Sequence, residues 1–165
     1  MIACSFIFIT RWIYSYSSGV NRDIININKN KFSLKIIPLI CYEIIYSGEI
    51  SKDNKFDYII NISEDGWFGN SIGPYQHYAH SVFRAIESGK YVIRSANNGI
   101  TAIVNPIGVA EQKILFGKNG YIDFREKRSV ETTIFSKFGN KIFFVMILLY
   151  IFLIFSFNRN SKWVI

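Results

Sequence analysis

The apolar residues in the middle of the chain form short uninterrupted runs, and these predict buried strands. Residues 35–40 read KIIPLI and residues 58–62 read YIINI, with Ile the dominant residue in both. Short runs rich in β-branched residues are typical of strands covered on both faces of a sheet. After residue 73 the apolar positions recur with a helical period instead. The positions on this stripe are Tyr75, Tyr78, Ala79, Val82 and Ile86. Pro74 suits the first turn of such a helix, and Gly89 suits its end.

Two further apolar runs predict a β-hairpin. They are YVIRSA at residues 91–96 and ITAIVNP at residues 100–106, separated by the turn residues NNG. EQKILF at 111–116 is a candidate for one more strand. The order strand, helix, strand, helix, strand, strand predicts an α/β fold, a sandwich with buried central strands. Ligands bind beyond the carboxyl ends of the strands in open α/β sheets, so the residues after 40 and after 62 are expected to share one rim.

The carboxyl end of the chain carries a much longer apolar segment. Residues 142–157 contain no charge, and residues 138–158 are long enough to cross a bilayer if Lys141 extends toward the headgroups. We therefore predict one C-terminal transmembrane helix over 138–158 and a short tail over 159–165. Lys137 and Lys141 precede the apolar run, and Arg159 and Lys162 follow it. Positive charge on both sides gives no orientation by the positive-inside rule.

Length and charge narrow the functional classes. The 165 residues suffice for one domain with a real core, and the composition is half apolar. The net charge of +7 is scattered along the chain without an RNA-binding or helix-turn-helix pattern, so we expect no nucleic-acid partner. A basic surface facing anionic lipid is the better interpretation. Residues 1–16 are apolar at first but have no positive n-region and no cleavage site, so we predict no signal peptide and leave this segment unassigned.

Cys41 ends the first buried run, where a helix is expected to begin. Taken alone, a cysteine in this position is more often a small core residue. A helix N-terminus would instead lower the pKa of a thiol and offer N–H groups to an oxyanion. Glu43 would lie in the first turn of that helix, and Trp67 would come from the neighbouring rim loop, within reach of the same pocket. A bridge between Cys41 and Cys4 is left open. His77 and His80 are three residues apart, but a third ligand at a matching spacing is missing, and we expect no metal.

Several motifs in this order resemble one family closely. They are PLICYE, NISEDGWFGNSIGPYQH, FRAIESGKYVIRSANNGITAIVNPIG and TTIFSKFGN. Together they resemble the carboxyl-terminal half of the apolipoprotein N-acyltransferase family, whose catalytic domain belongs to the nitrilase, or carbon–nitrogen hydrolase, superfamily. The resemblance implies a partial nitrilase-type α-β-β-α sandwich over residues 17–136, followed by the transmembrane helix.

The resemblance also implies a reaction and its site. An acyl chain would pass from a phospholipid to Cys41 as a thioester, and then to the N-terminal diacylglyceryl-cysteine of an apolipoprotein. Cys41 would be the nucleophile, and Tyr42 and Glu43 would support it. The residues expected on the substrate side are Trp67, Phe68, Gly69 and His77. No cofactor is implied. The expected location is the bacterial inner membrane, with the nitrilase-like domain facing the periplasm.

Two departures from the family pattern bear on activity. The rim loop usually begins Asn-Asp-Ala, and here Glu64 stands in place of the asparagine. The family also uses a glutamate base and a lysine upstream of the cysteine, and the 40 residues before Cys41 contain no glutamate and no lysine at a matching distance. We therefore expect a fragment, with a separately encoded N-terminal half as a potential partner. The alternatives are an inactive membrane-associated remnant, which better explains the isolated chain, and a nitrilase-type amidase.

Overall fold

The fold is built on a six-stranded mixed sheet, described here from a computed structural model. The structure describes residues 23–29, 32–48, 50, 55–125 and 130–160. Cys4, residues 1–16 and most of the tail over 159–165 lie outside these ranges, so the expectations for them stay predictions. The strands are β1 (Ile25–Lys29), β2 (Phe32–Ile40), β3 (Tyr58–Glu64), β4 (Tyr91–Asn97), β5 (Thr101–Val104) and β6 (Ala110–Ile114). They lie in the sheet in chain order.

The strand directions place the candidate residues on one edge of the sheet. Strands β2, β3 and β4 run parallel, and the pairs β1–β2, β4–β5 and β5–β6 are antiparallel. The predicted hairpin is confirmed as β4 and β5, and the predicted last strand as β6. Because β2 and β3 are parallel neighbours, the loops after Ile40 and Glu64 share one rim, as expected.

The amphipathic helix is α1 (Gly73–Ser88), which connects β3 to β4. Pro74 lies in its first turn, and Gly89 ends it with a φ of +67°. The Gly89 N–H donates to the carbonyls of Ala85 and Ile86, which otherwise lack an intrahelical partner. The pattern of apolar positions and the two end signals therefore predicted this helix correctly.

The core lies between α1 and one face of the sheet. Its buried side chains include Ile37, Leu39, Ile59, Val92 and Ala85. The opposite face is covered only in part by the described residues. Tyr58, Tyr91 and Phe124 pack together there, whereas Ile40 and Ile62 are 65% and 60% exposed. The prediction that these strands are covered on both faces is therefore wrong at their carboxyl ends, because the segment with Phe124 packs against the other end of the sheet.

The apolar C-terminal segment forms a helix that projects from the rest of the molecule. A short helix, α2 (Ile134–Phe138), precedes α3 (Lys141–Asn160). The window Lys141–Asn158 has a mean hydropathy of 2.2, and none of it is buried. Among the described residues it is the one helix long and apolar enough to cross a membrane. It begins three residues later than predicted, because Gly139, with a φ of +55°, ends α2.

Candidate functional site

Cys41 follows the last residue of β2 directly and opens a 3₁₀ helix, Cys41–Ile45. Its φ is +50°, a value that residues other than glycine rarely adopt. A non-glycine residue in a left-handed conformation between a strand and a helix resembles the strained turn that presents nucleophiles in hydrolases. The expected helix is a single short turn, so its dipole is small compared with that of a full α-helix.

The carbonyl oxygen of Cys41 is held by two side chains from neighbouring elements. His77 Nε2 lies 3.2 Å from it, and Asn61 Nδ2 donates to it at 3.3 Å. Asn61 Nδ2 also donates to the carbonyl of Leu39 at 2.9 Å. The side chain of Cys41 has a separate contact, since Ser63 Oγ lies 3.8 Å from Cys41 Sγ. Contacts from β3 and α1 thus support the unusual backbone conformation.

The two residues after Cys41 have different surroundings. Glu43 Oε2 accepts a hydrogen bond from the Ile40 N–H at 2.8 Å, so its carboxylate braces the turn that contains Cys41. The Tyr42 ring packs 5.2 Å from the His77 ring and 6.3 Å from the Phe68 ring, measured between centroids. Both contacts agree with supporting positions for these residues, and their roles in a reaction stay predictions.

A fully buried charged network lies beneath Cys41. Asp65 and Arg94 are 0% and 1% exposed. Asp65 Oδ2 accepts from an Arg94 guanidinium nitrogen at 2.7 Å, and its Oδ1 accepts from Ser63 Oγ at 2.7 Å and faces His77 Nδ1 at 2.9 Å. Burial alone would raise the pKa of Asp65, but the hydrogen bonds from His77, Ser63 and Arg94 outweigh it and lower the pKa.

Arg94 closes this network into a circuit. It donates to the Ile100 carbonyl at 3.1 Å and to Asn61 Oδ1. Gly99 permits the close approach, because a Cβ there would lie 2.3 Å from Asp65 Oδ2. Asp65, Arg94 and Asn61 were not among the site residues predicted from the sequence. The sequence does contain a signal for this network, because Arg94 is a charged residue inside the apolar run of β4 and a buried charge requires a partner.

The rim loop after β3 is held by Glu64. Its Oε1 accepts from the Gly66 N–H at 2.7 Å and from the Asn98 amide at 3.2 Å, and Asn97 donates to its Oε2. Burial raises the pKa of Glu64, but these hydrogen bonds have the larger combined effect and lower it. The glutamate that departs from the family pattern therefore ties the loop to the turn between β4 and β5.

A cavity of about 300 Å³ lies beside Tyr42. Its walls are Tyr42, Phe68, Gly73, Gln76, His77, Ala79, His80 and Phe83. Of the predicted substrate-side residues, Phe68 and His77 line it, whereas Trp67 and Gly69 do not. Trp67 is 71% exposed, which does not support the expectation that it reaches this pocket. A larger hollow of about 440 Å³ lies at β6 and the segment with Phe124, and none of the predicted site residues line it.

No group of three potential metal ligands occurs in the described part of the chain. His77 is instead 1% exposed and occupied with Asp65 and the Cys41 carbonyl.

Known proteins resemble this chain over most of its length. Three relatives named "Apolipoprotein N-acyltransferase" come from Rickettsia bellii (strain RML369-C), Rickettsia typhi (strain ATCC VR-144 / Wilmington) and Rickettsia prowazekii (strain Madrid E). They are 41%, 43% and 48% identical over 91%, 88% and 75% of this chain. The chain spans only 29%, 29% and 25% of their respective lengths.

A family model covers the sheet and the candidate site. The model described as "Carbon-nitrogen hydrolase" matches residues 15–117, which include β1 to β6, α1 and Cys41. This match extends over more than half of the 165 residues. The chain therefore belongs to the carbon–nitrogen hydrolase family.

Proposed function

We propose that Cys41 is the acyl-accepting nucleophile of a lipoprotein N-acyltransferase. The observation that carries this proposal is the strained turn at Cys41, a non-glycine residue with a φ of +50° at the carboxyl end of a parallel strand. Such a turn brings a side chain to the rim where α/β proteins bind ligands. The relatives named apolipoprotein N-acyltransferase suggest an apolipoprotein as the acceptor, and we propose a phospholipid as the acyl donor.

The chemistry would run in two balanced steps. The Cys41 thiolate attacks an ester carbonyl of the phospholipid, the ester C–O bond breaks, and the lysophospholipid leaves as an alcohol after taking up a proton. The amine of the acceptor then attacks the thioester carbonyl, the C–S bond breaks, and an amide forms as the nitrogen releases a proton and the thiolate is restored. Glu43 supports the turn through Ile40, and Tyr42 contributes a wall of the adjacent cavity.

The apolar helix supports a location at a membrane. Helix α3 is fully exposed and apolar, so in water it would present a large unfavourable surface. The turn after the 3₁₀ helix contacts the start of this segment, since a Cβ at Gly48 would lie 3.4 Å from the Gly139 Cα. We propose the bacterial inner membrane as the location, with the domain on the periplasmic side.

The test is an acyl-thioester assay on membranes. The full chain, in membranes containing phospholipid with a labelled acyl group, should acquire label that hydroxylamine releases and that is absent from Cys41→Ala. The assay is run with and without the preceding part of the Rickettsia bellii relative, expressed as a separate polypeptide. Absence of label in both arrangements would refute the proposal. Release of ammonia from small amides without a lipid thioester would instead identify an amidase.

The proposed orientation has its own measurement. In the variant used, the two natural cysteines are replaced by serine, and Ser95, an exposed position on β4, is replaced by cysteine. A membrane-impermeant maleimide added to intact spheroplasts should label this cysteine. Labelling that requires lysis would assign the domain to the cytoplasmic side.

A further inference from the structure

We infer that His77 is a positioning residue that holds the main chain of Cys41 in its strained conformation, with Asp65 and Arg94 holding the imidazole in turn. This inference rests on the proposed function, because it concerns the presentation of the same thiol. His77 acts through the Cys41 carbonyl and touches neither the sulfur nor a reacting atom in this arrangement.

The two ring nitrogens of His77 face different partners, and this gives the ring its orientation. Nε2 lies 3.2 Å from the Cys41 carbonyl oxygen, and Nδ1 lies 2.9 Å from Asp65 Oδ1. The ring is 1% exposed, so water does not compete for these positions. A buried imidazole held at one nitrogen by a carboxylate directs its other nitrogen to a fixed point, as the orienting partners of catalytic and metal-binding histidines do.

The partners of Asp65 are fixed as well. Arg94 donates to Asp65 Oδ2 and to Asn61 Oδ1, and Asn61 supplies the second donor to the Cys41 carbonyl. The side chains thus form a closed circuit that begins and ends at one carbonyl oxygen. A side chain that merely filled the core would need no such pair of directed contacts at its two nitrogens.

The conformation of Cys41 explains why such support is needed. A φ of +50° is unfavourable for any residue with a Cβ, so the turn would relax toward negative φ once its hydrogen bonds were lost. Relaxation would rotate the thiol away from its present position. The reactivity of Cys41 toward a small alkylating reagent therefore reports on the support directly, without requiring lipid or acceptor.

Two substitutions at His77 separate the positioning role from packing. The amide of glutamine reaches the position of Nε2 and can donate to the Cys41 carbonyl. The amide of asparagine reaches the position of Nδ1, beside Asp65, Ser63 and Arg94, and does not reach the Cys41 carbonyl. The test is the rate of iodoacetamide alkylation of the folded full chain in detergent micelles, in a Cys4→Ser background. His77→Asn should react about tenfold more slowly than the parent, as expected for the loss of one directed hydrogen bond. His77→Gln should remain within about twofold of the parent rate.

Ser88→Ala is the matched control, because it removes a buried hydrogen bond, from Ser88 Oγ to the Arg84 carbonyl, at the other end of the same helix. It should lower stability without changing the alkylation rate of folded protein. Equal rates for His77→Asn and His77→Gln, or an equal change in Ser88→Ala, would overturn the inference.

A second variant keeps the test decisive if His77→Asn does not fold. Asn61→Asp is isosteric and keeps an acceptor for Arg94, but it loses the donor to the Cys41 carbonyl. It should slow alkylation by a similar factor, and an unchanged rate would contradict the inference. The assay is also independent of acyl transfer. If the chain forms no thioester but His77→Asn still slows alkylation, only the proposed function is refuted. If the chain forms a thioester but His77→Asn does not slow alkylation, only the positioning role is refuted.

Discussion

The ion pair between Asp65 and Arg94 should contribute more to stability than any exposed charge in the chain. Both side chains are buried, and their charged atoms lie 2.7 Å apart. Asp65→Asn would leave the guanidinium in the interior with neutral acceptors only, namely the amide oxygen of Asn61 and the carbonyl of Ile100. Breaking a buried pair from one side costs about 3–5 kcal/mol, a large part of the roughly 5–15 kcal/mol by which domains are stable.

The two partners should also be coupled in a double-mutant cycle. Arg94→Met removes the cation, and Asp65 then keeps its contacts with Ser63 and His77. In the combined variant neither charge is left alone in the core. The loss in the free energy of unfolding for the double variant should therefore be smaller than the sum of the two single losses by about 2 kcal/mol.

Unfolding of the full chain by guanidinium chloride in detergent, followed by far-UV circular dichroism, measures these differences. Asp123→Asn is the control, since Asp123 is an exposed carboxylate, and it should change stability by no more than about 0.5 kcal/mol. Additive single losses, or an Asp65→Asn variant as stable as Asp123→Asn, would refute the reasoning that the pair is desolvated and directly coupled.

The same network predicts a pH dependence. The pKa of Asp65 is lowered in the folded chain, from an ordinary value of 3.8. A carboxyl with a lowered folded pKa contributes its full stability above the ordinary value, and this contribution is lost as the pH falls through the lower, folded value. The parent chain should therefore lose stability on acidification below about pH 4. Asp65→Asn should lose less stability than the parent over this acid range. The same dependence of stability on pH in both proteins would contradict the prediction.

Three further predictions concern the strained turn, the rim loop and the apolar helix. Cys41→Gly should be more stable than Cys41→Ala by about 1 kcal/mol in the same unfolding assay, because glycine adopts a positive φ without strain; equal stability would mean that the turn relaxes. Glu64→Gln should speed amide hydrogen exchange at Gly66, whose N–H now donates to a carboxylate; unchanged exchange would mean that the loop is held elsewhere. Leu149→Arg, at the middle of α3, should shift protein from the carbonate-resistant membrane fraction to the soluble one, since a central arginine costs about 2.5–3.5 kcal/mol; an unchanged pellet would argue against a span.

The sheet and its main helix could be predicted because their signals are local. The run YIINI by itself predicts a strand, and the stripe of apolar residues after Pro74 by itself predicts a helix. Gly89 marks the end of that helix, directly after its last residue. Coverage of the sheet is not a local property. Ile40 and Ile62 belong to runs that look fully buried, yet whether another segment packs on them depends on distant parts of the fold.

The position of Cys41 could be predicted for the same reason, and its conformation could not. A cysteine at the end of a buried run must lie at the rim of the sheet. The φ of +50° depends on contacts from Asn61 and His77, which lie 20 and 36 residues away along the chain. The pairing of Asn61 with Arg94 follows from the register of β3 against β4, which no single strand specifies.

The contacts of Cys41 divide into two groups, one at its carbonyl oxygen and one at its sulfur. Asn61 and His77 contact the carbonyl oxygen and support the backbone conformation, whereas Ser63 Oγ lies 3.8 Å from the sulfur. The buried charges of Asp65 and Arg94 are connected to the Cys41 carbonyl through His77 and Asn61, and this network holds a strained turn. Substitutions beneath the turn should therefore alter how much of the thiol is presented at the rim.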